Sequence, residues 1–131
     1  HIFFADRWDG TDDALYVAMR LLCVLSKSGA RLSDFRNGLP AAIATPELRI
    51  PCPEDRRRRV VAEVAERLAG SVVNITDGLR VTTEDGWWLL RASNTEAKLT
   101  CRCEAPDAER LARVKADLAA HLRESGISLA V

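Results

Sequence analysis

From Lys98 to Ala105 the chain alternates without interruption. Lys98, Thr100, Arg102 and Glu104 are polar, and Leu99, Cys101, Cys103 and Ala105 between them are small or apolar. Successive side chains of an extended backbone leave on opposite faces, so a period of two marks a strand with one face buried and the other wet. Such a strand needs neighbours to satisfy its backbone N–H and C=O groups, and the preceding sequence supplies them. Trp87-Trp88-Leu89-Leu90 is aromatic and aliphatic, as a strand inside a sheet is. Val72 to Thr76 and Leu79 to Thr83 flank Asp77-Gly78, a strong hairpin signal, and Gly86 closes a second turn. These segments read as an antiparallel meander.

Two amphipathic helices complete the pattern. From Glu54 to Leu68, the residues Val60, Val61, Val64, Ala65 and Leu68 form one apolar stripe, while Arg59, Glu63 and Arg67 are spaced for i,i+4 pairs on another face. Pro106 and Asp107 open a last helix with Leu111, Val114, Leu118 and Leu122 on one side and Gly126 past its end. His121 lies beside that stripe as a core-edge residue. With a short strand at Leu48 and Ile50 ending at Pro51, the order is β-α-β-β-β-β-α. The expected class is α+β, a four-stranded antiparallel sheet with both helices on one face.

The N-terminal part reads differently. His1-Ile2-Phe3-Phe4 is an abrupt apolar run of strand character, and from Ala14 to Leu25 every residue except Arg20 is apolar or aromatic. A helix apolar on nearly all sides expects burial on several of them. It is too short to span a bilayer, which takes about 20 such residues. Asp12 and Asp13 suit its positive start, and it is expected to stop between Ser26 and Gly29, with a further turn of helix at Ser33 to Arg36. Residues 1–42 are expected to be a strand–helix remnant of a preceding α/β domain, cut from a longer protein that lacks an initiator Met here. Asn37-Gly38, Pro40 and Pro46 mark the hinge, and residues 43–131 form the second domain.

Between the last two strands lies Arg91-Ala92-Ser93-Asn94-Thr95-Glu96. It concentrates a guanidinium, two hydroxyls and an amide at one end of the sheet. A phosphate can be held by such a group: an Arg grips two oxygens with charge-assisted bonds, and short polar side chains and turn amides supply the rest. Ser93 and Glu96 also fit the S-x-x-E box that opens a helix, but the alternation after Ala97 favours strand–loop–strand. Polar hairpin loops are common and mostly inert, so the residues alone leave anion binding and a plain turn both open.

Asp77-Gly78-Leu79-Arg80, Gly86-Trp87 and Arg91-Ala92-Ser93-Asn94-Thr95-Glu96, in that order, resemble the C-terminal domain of the α-phosphohexomutases. The R-x-S-N-T form is closest to the phosphomannomutase/phosphoglucomutase branch. The N-terminal stretch, with Arg7-Trp8 and Gly10-Thr11-Asp12-Asp13, is similar to the segment after that family's sugar-recognition loop. The resemblance covers essentially the whole chain; one departure is Ala97, where the family usually has Pro. It implies the family's fourth domain, whose fold is like that of the TATA-box-binding protein, a likeness that does not imply DNA binding.

The resemblance also implies a role. Arg91, Ser93, Asn94 and Thr95 would hold the non-reacting phosphate of a hexose phosphate (mannose or glucose), and His1 matches the last residue of the sugar-recognition loop. Phosphoryl transfer in the family needs a phosphoserine and a Mg²⁺ on an Asp-rich loop. Neither motif is in this chain, which is expected to contain no catalytic or metal-binding residue, to act with the remaining domains of the enzyme, and to be inactive alone.

Nineteen basic and nineteen acidic residues give zero net charge, so no global field draws the chain to nucleic acid or an anionic membrane. Arg56 to Arg59 is a run of four arginines, offset by Glu54, Asp55, Glu63 and Glu66, and reads as a solvated helix face. The rival reading is a stand-alone nucleic-acid or protein-interaction module of the same sheet-and-helix pattern. Cys23, Cys52, Cys101 and Cys103 form no C-x-x-C pair. Cys101 and Cys103 share one strand face and read as small core residues, as free cysteines usually are. The cytoplasm fits this usage.

Overall fold

The computed structural model describes residues 1–69 and 73–129. The chain divides into two compact units, His1–Pro40 and Ala41–Val131.

In the first unit, α1 (Ala14–Ser28) is followed by α2 (Leu32–Asn37). Asp13 caps α1: its carboxylate accepts from the amides of Leu15 at 2.9 Å and Tyr16 at 3.0 Å. Gly29, at φ +65°, ends the helix by donating its N–H to the Leu25 carbonyl at 3.1 Å. The expected strand at Ile2 to Phe4 does not form. No described segment pairs with it, and the Phe4 carbonyl instead accepts from Trp8 N–H at 2.8 Å in a turn. Trp8 then stacks on Tyr16 with ring centroids 4.6 Å apart. No residue of α1 is buried, and Leu15, Met19 and Leu22 are all exposed.

The second unit contains β1 (Ile43–Ala44), β2 (Leu48–Pro51), α3 (Glu54–Arg67), β3 (Val73–Asn74), β4 (Leu79–Thr82), β5 (Trp87–Ala92), β6 (Lys98–Ala105) and α4 (Ala108–Glu124). All strand pairs are antiparallel. β5 and β4 lie successively on one side of β6, with β3 beyond, while β1 and β2 share its other side. Among the described residues the sheet has six strands, two more than the expected four: β3 to β6 are the expected meander, β2 pairs with β6 at its edge, and β1 adds two residues. β1 is short and adjoins Pro46, so alternation could not reveal it. Thr45 joins it to β2 while bonding Cys103 twice, through its N–H at 2.9 Å and its Oγ1 at 3.1 Å.

The expected strand from Val72 to Thr76 is shorter at its far end, and Val72 lies outside the described residues. Asn74 Oδ1 accepts from Thr76 N–H at 2.9 Å, a side-chain turn that releases the backbone from the ladder. The connection to β4 is therefore Ile75 to Gly78 rather than the dipeptide Asp77-Gly78 alone.

The core lies between one sheet face and both helices. Leu99, Cys101, Cys103 and Ala105 of β6 are buried with Trp88 and Leu90 of β5, Val60 and Val64 of α3, and Val114, Leu118 and Leu122 of α4. The two C-x-C thiols are core residues, and burial pushes Cys101 up to about 12 and Cys103 up to about 11.

The arginine run departs from its reading as a solvated face. Arg58 and Arg59 are exposed, but Arg57 is buried and Arg56 half-buried. Arg56 makes two bonds to Glu63, at 2.6 and 3.0 Å, and donates to the Ser125 carbonyl at the end of α4. Arg67 donates there too, to the His121 carbonyl at 2.7 Å. These bonds replace the i,i+4 pairs expected for Glu63.

The Arg56 fork holds the Glu63 carboxyl at about 2, below its ordinary 4.5. A depressed carboxylate stabilises the fold above its unfolded pKa, and the contribution is lost as pH falls through the folded one. The melting temperature should therefore fall as pH drops from about 4.5 to about 2. Glu63→Gln should flatten part of that fall; identical acid profiles for wild type and variant would contradict this role of the α3–α4 joint.

Candidate anion-binding site

Arg91 is the next-to-last residue of β5, and Lys98 opens β6, so Ser93 to Ala97 form the connecting loop. No helix starts there. Ser93 Oγ accepts from the amides of Glu96 at 3.2 Å and, more weakly, Thr95 at 3.4 Å, which is half of a capping box. The Glu96 carboxylate does not complete it. It pairs with Lys98 at 2.5 Å, and that bond, with the lysine's charge, lowers the Glu96 pKa.

Alternation along β5 buries Leu90 and places Arg91 on the sheet face away from the helices. Register then aligns Arg49 of β2, Thr100 of β6 and Arg91 of β5 in one cross-strand row. Arg91, Ser93, Asn94 and Thr95 line a single open cleft of about 300 Å³, with Arg49 and Lys98 as further cations on its wall. The four residues expected from the loop motif thus come together. His1 belongs to the other unit, where its Nδ1 lies 2.6 Å from Asp12 Oδ2.

Sequence alone does not single out Arg49 and Lys98. Each is an outward-facing residue of a strand, and only the pairing of β2 with β6 places them beside the loop.

Each cleft cation is paired with a carboxylate: Arg49 with Glu47 at 2.8 Å, Arg91 with Asp77 at 3.2 Å, and Lys98 with Glu96. The Arg91–Asp77 pair is largely exposed, at 41% and 75% of the side chains. Pairs of that kind are worth about 0–1 kcal/mol, so a dianion accepting two bonds from the guanidinium can displace Asp77.

Gly78 sets the approach of this hairpin. At φ +85° it sits so close to β5 that an added Cβ would lie 2.5 Å from Arg91 Cγ and 2.6 Å from the Leu90 carbonyl oxygen. Only glycine lets the Asp77 turn lie against the stem of Arg91. Among the described residues no group of three or more His, Cys, Asp or Glu side chains is placed to hold a metal ion. Nor is any described helix long and apolar enough to cross a membrane.

Residues 47–121 match the family profile of the phosphoglucomutase/phosphomannomutase C-terminal domain. A phosphomannomutase/phosphoglucomutase of Pseudomonas aeruginosa is 38% identical over all of this chain and 29% of its own length. A phosphoglucomutase of Neisseria meningitidis is 44% identical over 88% of this chain and 26% of its own. The crystal structure of a phosphoglucomutase/phosphomannomutase family protein from Burkholderia thailandensis superposes with a TM-score of 0.79 at 35% identity, covering 98% of this chain and 28% of that one. The chain therefore spans less than a third of the relatives it matches.

Proposed function

The chain belongs to the phosphoglucomutase/phosphomannomutase family, and from that premise we propose that it is the substrate-phosphate-binding part of an enzyme interconverting hexose 1-phosphate and hexose 6-phosphate. The observation that carries this reading is the convergence of Arg91, Ser93, Asn94 and Thr95 on one cleft at the end of the sheet. Arg91 supplies the bidentate grip, and the Ser93 hydroxyl, the Asn94 amide and the Thr95 hydroxyl supply directional bonds to the remaining oxygen. Mannose and glucose phosphates are the substrates this reading assigns.

Holding the phosphate that does not react serves rate as well as affinity, because a remote anchor orients the reacting end. The anchor must accept the phosphate of either isomer and then let go. A cleft whose cations are already balanced by Glu47, Asp77 and Glu96 suits that demand, since each bond to phosphate replaces an ion pair instead of being added to a bare charge. In the same reading His1 is a sugar-binding residue, the remaining domains of the enzyme are the partners, and the cytoplasm is the location.

Mg²⁺ belongs to the reaction, but the described residues do not fit it, as no ligand group gathers among them. No step on this chain runs through it. The four-arginine run gives little support to a nucleic-acid module, because Arg57 is buried and Arg56 is committed to Glu63 and Ser125.

Two or three charge-assisted bonds of about 1.5–3 kcal/mol each, less the cost of ordering, give an expected Kd of roughly 1 mM or weaker for the chain alone. Calorimetric titration with glucose 6-phosphate and mannose 6-phosphate tests this, with unphosphorylated glucose as control. Phosphate-dependent binding in that range supports the reading; equal responses to glucose and its phosphate defeat it.

A further inference from the structure

We propose that Arg57 is the positioning residue of the anion loop, acting through the Glu96 peptide and not through contact with the ligand; the proposal rests on the phosphate reading of the cleft. Arg57 stands in the first turn of α3 and is 5% exposed. Its Nη1 donates to the backbone carbonyl of Glu96 inside the loop. Its Nη2 reaches Glu54 at 3.0 Å, but that carboxylate is 82% exposed, and the buried Nε has no partner among the described residues.

As a stabilising element this is a poor choice. A buried guanidinium that is only partly satisfied carries a desolvation cost, and an apolar side chain of similar volume commonly stabilises as well or better. What an apolar residue cannot do is hold the Glu96 peptide. Glu96 is fixed through both of its flanking peptide groups: its N–H goes to Ser93 Oγ at 3.2 Å, and its carbonyl accepts from Arg57 and from Lys98 N–H at 2.8 Å. Two hydrogen bonds thus connect the buried guanidinium to the Ser93 hydroxyl. The next residue is Ala97, whose φ has no ring constraint, so the loop's shape depends on such bonds. Cys52 N–H adds one more, to the Ala97 carbonyl at 3.0 Å.

The structural and functional effects of Arg57→Met are therefore expected to diverge. The variant should keep or raise the melting temperature while binding glucose 6-phosphate about tenfold more weakly. Without ligand, its amide resonances should shift at residues 93–96 and stay in place along β4. Arg57→Lys, which retains one donor without the planar fork, should bind about two- to threefold more weakly than wild type. Wild-type affinity and unmoved loop amides in a folded Arg57→Met protein would overturn the proposal. If that variant does not fold, Arg57→Lys decides: shifted loop amides with weakened binding support the proposal, and wild-type values for both overturn it. A wild-type protein that binds no phosphate would defeat the reading of the cleft instead, and the unliganded loop amides would still test Arg57.

Discussion

Arg91→Ala is expected to abolish measurable binding of hexose 6-phosphate to this chain. A charge-assisted bidentate contact is worth about 1.5–3 kcal/mol or more, roughly 10- to 150-fold in Kd, and the starting affinity is already near 1 mM by the same arithmetic. Arg91→Lys is the sharper variant, because it keeps the charge and loses only the planar fork. Its expected Kd is about tenfold weaker, with the fold unaltered, since the Asp77 pair it disturbs is exposed. Calorimetry checks both. A lysine variant that binds as wild type would reduce Arg91 to a diffuse positive charge.

The largest stability effect is expected at Trp88. It is fully buried, and its Nε1–H donates to Asp117 Oδ2 on α4 at 2.7 Å, so it ties the sheet to the last helix as well as filling the space between them. Trp88→Ala should cost about 3–5 kcal/mol for the cavity and leaves the Asp117 carboxylate without its donor. At about 4–8 °C per kcal/mol for a unit of this size, the melting temperature should drop by about 12 °C or more. A loss below about 1 kcal/mol would mean that the core is not organised around this side chain.

What sequence could reveal depended on the range of the interaction. The alternation of β6 and the stripes of α3 and α4 are local patterns, and they located the sheet face and the helix faces that form the core. The loop motif is local as well, so the amino-acid order alone groups Arg91, Ser93, Asn94 and Thr95. It does not single out Arg57. The neighbours Arg56, Arg58 and Arg59 carry the same charge, and one helical turn alone does not show which of four arginines faces inward. Its partner is a carbonyl 39 residues away in sequence, and a backbone carbonyl leaves no trace in residue identity. Arg49 and Lys98 were hidden for a related reason: both need the β2–β6 register to become neighbours of the loop. At the N-terminus, the apolar run His1 to Phe4 has strand composition, but a strand exists only with a partner for its backbone.

The central claim is that the Arg91–Glu96 loop takes a phosphate monoester, and mapping backbone amide shifts during a glucose 6-phosphate titration tests it most directly. Saturating shifts are expected at residues 91–96, with smaller ones at Arg49 and Lys98 on the same cleft wall and none along α4. Saturating shifts centred on another surface, with residues 91–96 unmoved, would contradict it.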